Sequence, residues 1–273
     1  MDYGFFDHKL FIKGFTSDLF SAPHIVYIVL VYVLGFALSL ALRRARRERI
    51  TAFLRVLSVV MPALEITKIT WESYYDIKYG DGFNAGGILP LYTCSLFIYT
   101  VIAAAWGRGK VREIALSFLS TIGLLYGAIG VIYCNGLNFY PFWTFGAFYS
   151  LIFHSTMFVT GLFLVVSGYK RLTWRDMFYP LIPIAILCVI AIPVNYIYDA
   201  DYMLIHKGGG VPLYEDIASY LASRGLRPLY TLLMFVTHIP LAGLVIGGDR
   251  LIRGVSKLFS HRAPKGGNTD SAV

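Results

Sequence analysis

The chain has 273 residues, 57% of them hydrophobic and 15% charged, with a mean hydropathy of +0.63. The apolar share lies above, and the charged share below, that of soluble globular domains, which excludes an ordinary water-soluble enzyme. The net charge of +8 fits contact with anionic lipid heads and calls for no nucleic acid partner.

Apolar runs of roughly 20 residues, the length needed to cross a hydrocarbon core about 30 Å thick, recur along the chain. They predict an all-α polytopic membrane protein with seven transmembrane helices, over residues 24–42, 50–71, 88–106, 113–133, 143–167, 177–197 and 228–246. Helices are expected because lipid leaves no other solution for the backbone except a closed barrel. The runs lack the alternation of barrel strands. Residues 1–250 read as a single seven-helix domain and residues 251–273 as a basic cytoplasmic tail.

Basic residues alternate between the spans. Arg43, Arg44, Arg46, Arg47 and Arg49 follow the first span; Arg108, Lys110 and Arg112 follow the third; Lys170, Arg171 and Arg175 follow the fifth. Arg250, Arg253, Lys257, Arg262 and Lys265 follow the seventh. The positive-inside bias then puts these loops and the carboxyl terminus in the cytoplasm and the amino terminus outside. No cleavable signal peptide is expected, since the first twenty residues mix Asp2, Asp7, Lys9, Lys13 and Asp18 with aromatics and have no apolar core. Three cysteines, Cys94, Cys134 and Cys188, sit inside or at the end of spans and suggest no disulfide framework.

Two outer segments carry most of the remaining information. The aromatics of NGLNFYPFW, residues 135–143, suit a belt at the headgroup level. Residues 198–227 are too long for a simple connector. Within them Pro212 opens a short helix with Leu213, Ile217, Tyr220 and Leu221 on one face and Gly225 ending it, expected to lie at the membrane interface.

Titratable groups inside spans are costly and are functional candidates by default. Glu65, Lys68 and Glu72 share one face of the second span. An internal Glu65–Lys68 ion pair and a substrate-binding role are equally open. His154 lies in the fifth span and His238 in the seventh, and Asn195 ends the sixth. At 1.5 Å per residue Cys94 lies roughly 9 Å and His154 roughly 16 Å from the outer helix ends, so spacing alone proposes no catalytic pair.

Four motifs in chain order carry a resemblance. LPLYTCSL (residues 89–96) resembles the LPLHxCS signature of the YwaF family of integral membrane proteins. SLIFHSTMF, with His154 at its centre, is similar to that family's histidine-bearing helix. VNYIYDADYMLIHKGGG resembles its Asn-rich segment followed by a lysine, and SRGLRPLY its entry into the last helix. Tyr92 stands where the family commonly has histidine, and Asp201 where it has asparagine.

The resemblance implies acyl transfer. The family's eukaryotic relatives include an acyltransferase of ether phospholipids that works through a cysteine acyl-enzyme and a histidine, roles that map onto Cys94 and His154. It further implies a bacterial cytoplasmic membrane and membrane phospholipids or acyl lipids as partners. Tyr92, Ser95, Asn195, Lys207, His238, Glu65 and Lys68 are expected to line the substrate site. No cofactor and no metal are expected. A histidine beside the thiol would take its proton and return it to the leaving alcohol. The alternative is a seven-helix sensor, receptor or small-solute transporter whose polar pocket is built on Glu65, Lys68, His154 and His238.

Overall fold

The computed structural model describes residues 4–260, with side chains through Gly254. Among the described residues the structure is helical, with no strand: α1 (Ala22–Ala41), α2 (Arg47–Tyr79), α3 (Leu96–Trp106), α4 (Gly109–Ser120), α5 (Ile122–Ile132), α6 (Phe145–Val166), α7 (Leu181–Ile197), α8 (Pro212–Ser223), α9 (Arg227–Val236) and α10 (His238–Ser260). Six stretches of the described chain are long and apolar enough to cross a membrane: α1, α2, Gly109–Asn138, α6, Trp174–Ile197 and Arg227–Gly254. The protein is an integral membrane protein. Of the expected tail, residues 251–260 continue α10 and residues 261–273 lie outside the described residues.

The third expected span is the exception to the sequence reading. Its first turns are not helical, and α3 has 11 residues, about 16 Å at 1.5 Å per residue, well short of a hydrocarbon core. Pro90 explains the loss: it removes a donor and pushes Leu89 away from helical backbone angles. Two other spans are split. α4 and α5 part at Thr121 (φ −124°, ψ −90°). α9 and α10 part at Thr237, where Pro240 cannot donate to the carbonyl four residues back.

Consecutive spans alternate in direction, so the bundle has two ends. We call the end at which α1 begins and α2 finishes the upper end. α2 carries the central stripe: Ile50, Leu54, Leu57, Met61, Glu65, Glu72 and Asp76 are buried at the three- and four-residue spacing of one helix face. α1 is apolar on all sides and leaves Val26, Val29, Leu30 and Val33 exposed, as a lipid-facing helix should.

The tightest packing joins α5 to α6. A Cβ at Gly127 would run into the backbone of Met157 and Phe158, and one at Gly130 into the ring of His154. From the other side, one at Gly161 would meet the Leu119 carbonyl and Leu124. Small residues let the backbones approach, which is how helices associate where lipid supplies no hydrophobic drive.

At the lower end the arginines are structural as well as charged. Arg112 donates to the Ala104 carbonyl at 3.0 Å, to Thr51 at 3.1 Å and to the Tyr169 hydroxyl. Arg47 donates to the Tyr169 carbonyl at 3.1 Å, and Lys170 pairs with buried Asp176 at 2.6 Å.

At the upper end, residues 198–226 fold over the bundle. Pro212–Ser223 is helical, and Gly225 follows with φ +70°. The helix packs inward through Ala218, with Tyr214, Ile217 and Leu221 partly buried against the same core, while Leu213 and Tyr220 stay exposed.

Candidate functional site

The site forms where the third span fails to be helical. Residues 92–98 turn through bonds spanning three residues: Ser95 N to Tyr92 O at 2.9 Å, Phe97 N to Cys94 O at 3.0 Å and Ile98 N to Ser95 O at 3.0 Å. The amides of Thr93 and Cys94 donate to no backbone acceptor among the described residues. Cys94 is half-buried at the head of α3, its sulfur close to its own amide and that of Ser95. Unspent amides at a helix start form a positive end that favours anions.

Three helices face the thiol. Glu65 and Lys68 of α2 lie within electrostatic reach of it, as do Tyr149 of α6 and Tyr126 of α5. Glu65 accepts a hydrogen bond from the Tyr149 hydroxyl. Lys68 donates to the Ile88 carbonyl at 3.3 Å and sits 5.7 Å from the centre of the Tyr149 ring. The Glu65–Lys68 ion pair left open by the sequence does not form. Each member takes a neutral partner, so both charges remain at the site uncancelled by direct contact.

His154 belongs to the next face of α6. Tyr149 and Phe153, four residues apart, point toward α3, with Phe153 edge-on to Phe97 at 5.9 Å. One residue round the helix, His154 packs on Gly130, and its Nδ1 meets the Ser150 carbonyl at 2.8 Å. Among the described residues no hydrogen bond joins His154 to Cys94, and Nε2 has no hydrogen-bond partner. His238 approaches from α10: its Nε2 and the Tyr126 hydroxyl are 3.0 Å apart, and its Nδ1 meets the Met234 carbonyl at 3.0 Å.

The other expected residues fall into two groups. Tyr92 and Ser95 belong to the Cys94 turn itself, Tyr92 lying against the Tyr202 ring at 4.8 Å and Ser95 buried. Asn195 and Lys207 lie above it. Asn195 is 1% exposed and is fully spent on Tyr202, donating to its carbonyl at 3.0 Å and accepting from its amide at 2.8 Å. Tyr202 then donates to the Ala85 carbonyl at 2.7 Å and accepts from Leu89 N at 3.0 Å. This tie holds the segment that leads into Cys94. It also holds Met203 and Leu204 at φ +61° and +58°, a left-handed conformation costly for such residues.

Lys207 bonds the Asp199 carboxylate at 2.6 Å, and this bond keeps the Asp199 carboxyl below its ordinary range. Next to it, burial and then the Arg227 guanidinium hold the His206 imidazole below its ordinary value. Tyr149, Tyr126 and Tyr202 are missed by sequence reasoning. Tyrosines at helical spacing in an apolar chain look like packing residues, and nothing in the sequence marks which of them meets the cysteine.

An apolar cavity of about 480 Å³ follows α3 away from the turn, lined by Leu91, Leu96 and Ala103, by Ile114 of α4, and by Ile186 and Leu187 of α7. One group of described histidines and carboxylates is close enough to hold an ion, His8, Glu72 and Asp76. It lies seven residues, two turns, above Glu65 on α2.

No curated protein and no solved structure matches the chain. A family model does, over residues 19–244, a range that takes in the helices from α1 into α10 and every residue facing the thiol. The chain belongs to the TMEM164 family.

Proposed function

We propose that the protein is a lipid acyltransferase or acyl-ester hydrolase in which Cys94 carries the acyl group. One observation carries the reading: a half-buried thiol at a broken helix start with unspent amides beside it, in a turn whose Leu91 and Leu96 line an apolar cavity. Burial and the Glu65 carboxylate oppose the thiolate, the attacking form, and the amides of the helix start and Lys68 work against them in its favour. A thiolate attack on an ester carbonyl forms the thioester as the ester C–O bond breaks, and the alcohol leaves with the proton the thiol gave up. A second hydroxyl, or water, then takes the acyl group. The free amides of the turn suit the oxyanion of each tetrahedral intermediate.

His154 is assigned the base, closing on Cys94 when substrate fills the site, since catalytic hydrogen bonds are commonly loose without substrate. The Tyr126–His238 pair is a second proton route to the same thiol. Tyr92, Ser95 and Lys207 suit the polar head of the lipid, and Asn195 acts through Tyr202. The arginine-rich lower end suits the cytoplasm and the upper end the outside. A bacterial cytoplasmic membrane and kinship with the YwaF proteins are part of the same reading.

A sensor or transporter is favoured by a different observation, the two charges of Glu65 and Lys68 left in the membrane without each other. Intact-mass analysis after incubation with mixed phospholipids separates the two readings. A hydroxylamine-labile fatty-acyl adduct on the parent, absent from Cys94→Ser, is expected. A folded parent that gains no adduct overturns the enzyme reading in favour of transport or sensing.

A further inference from the structure

We propose that His8, Glu72 and Asp76 bind a divalent transition-metal cation, zinc being the best match to the donor set. The observation behind it is Asp76, which is 7% exposed yet forms no ion pair and accepts no side-chain hydrogen bond among the described residues. Its Oδ2 is sealed from solvent with no partner. A buried, unpaired carboxylate is among the costliest groups a fold can hold. Its neighbours do not relieve it. His8 is 0% and Glu72 6% exposed, and Glu72 already takes Lys9 at 2.9 Å on Oε2 and the Tyr140 hydroxyl at 2.9 Å on Oε1. Counting Lys9, Glu72 and Asp76 as charged and His8 as neutral leaves one surplus negative charge.

The spacing suits a metal. Zinc bonds of about 2.0–2.1 Å in a tetrahedron put neighbouring ligand atoms about 3.3 Å apart. His8 Nε2 and Glu72 Oε2 are 3.3 Å apart, and one ligand atom from each of the three residues lies within 4.8 Å of the others. An imidazole with two carboxylates is a borderline N/O set that suits zinc, and the hard cations calcium and magnesium take oxygen ligands instead. The ion replaces the Nε2 proton of His8 and displaces Lys9, whose side chain is 35% exposed and free to swing out. Two carboxylates then balance the ion. Tyr140 stays on Glu72 as an outer support, and the 3.4 Å contact from the Leu10 amide to His8 Nδ1 is given up so that Nδ1 carries the proton. The sequence hides the site because His8 precedes the first helix and lies 64 residues from Glu72.

The test uses full-length protein in detergent, stripped with chelator and titrated with zinc, reading bound metal per chain by elemental analysis together with the melting temperature. One zinc per chain and a zinc-dependent rise in Tm are expected. Asp76→Asn should lose both while melting no lower than the stripped parent, because it removes only the unpaired charge. Tyr140→Phe should weaken zinc roughly tenfold, and Lys9→Gln, which removes the competitor, should tighten it. A parent that binds no zinc, or an Asp76→Asn variant that binds as much as the parent, overturns the site. None of these readouts depends on acyl transfer.

Discussion

Glu65 and Glu72 are the same residue on the same face of one helix, two turns apart and about equally buried, yet they are treated in opposite ways. Glu72 is enclosed: an imidazole, an ammonium and a phenol all reach it. Glu65 has a single phenol, and the lysine that would neutralise it spends its ammonium on a backbone carbonyl. A buried carboxylate whose partners are complete fastens the N-terminal segment to α2. One whose natural counter-ion is held a short distance away keeps a field at the site, and that field falls on Cys94.

This contrast can be broken experimentally. Glu72→Ala should be the most damaging change, costing about 3 kcal/mol because the buried His8 imidazole and Tyr140 hydroxyl both lose their partner, while acyl-adduct formation per folded molecule stays within about twofold; unfolding in mild detergent and intact mass measure the two. Gly130→Ala should follow at about 2 kcal/mol, the overpacking cost of forcing α5 off the His154 ring, and should slow the adduct as well, because His154 moves with it. Tyr202→Phe should cost about 1 kcal/mol for two lost hydrogen bonds, and it should slow acylation through the displaced turn, visible as a lower rate at unchanged maximal adduct.

Glu65→Gln keeps a partner for Tyr149, so its melting temperature should barely move, whereas the pH at which Cys94 reacts with iodoacetamide should fall as the opposing negative charge is lost. A shift in stability instead of reactivity would erase the distinction from Glu72. The smallest effect concerns His206. Its folded value is depressed, so the folded state binds fewer protons than the unfolded chain near pH 6. Stability contributed there is present above the ordinary histidine value of about 6.5 and falls as the pH drops toward the lower folded value. A melting series from pH 7.5 to 5.5 on the parent and on His206→Gln measures it.

Much of the architecture was legible because lipid allows few solutions. Span positions follow from apolar length, and α1, α6 and α7 begin and end within a few residues of expectation. The start of α3 was not, although Pro90 was in plain sight, since hydropathy counts Leu89 and Leu91 as membrane whether or not they are helical. At the site, LPLYTCSL coincides with the non-helical turn, but the groups around its thiol come from α2, α5 and α6 and have no common spacing. Asn195 shows the other limit. A buried polar residue at a helix end reads as a ligand group, and only the fold reveals that Tyr202 takes both ends of its amide. His8 was overlooked because a histidine in a leading loop carries no periodic signal at all.

The Tyr202 tie has a consequence for how the chain is made. The hydroxyl that receives the Leu89 amide belongs to a residue 113 positions later. At about 5–20 residues per second, the ribosome needs roughly 6–23 s after Leu89 to supply it. During that interval the third span is too short to cross by itself and its upper turn has no anchor. The Cys94 turn is therefore finished late in synthesis, after α6 and α7 have emerged, and a truncated chain that ends before residue 202 has all three helices that face the thiol but lacks the tie that holds it in place.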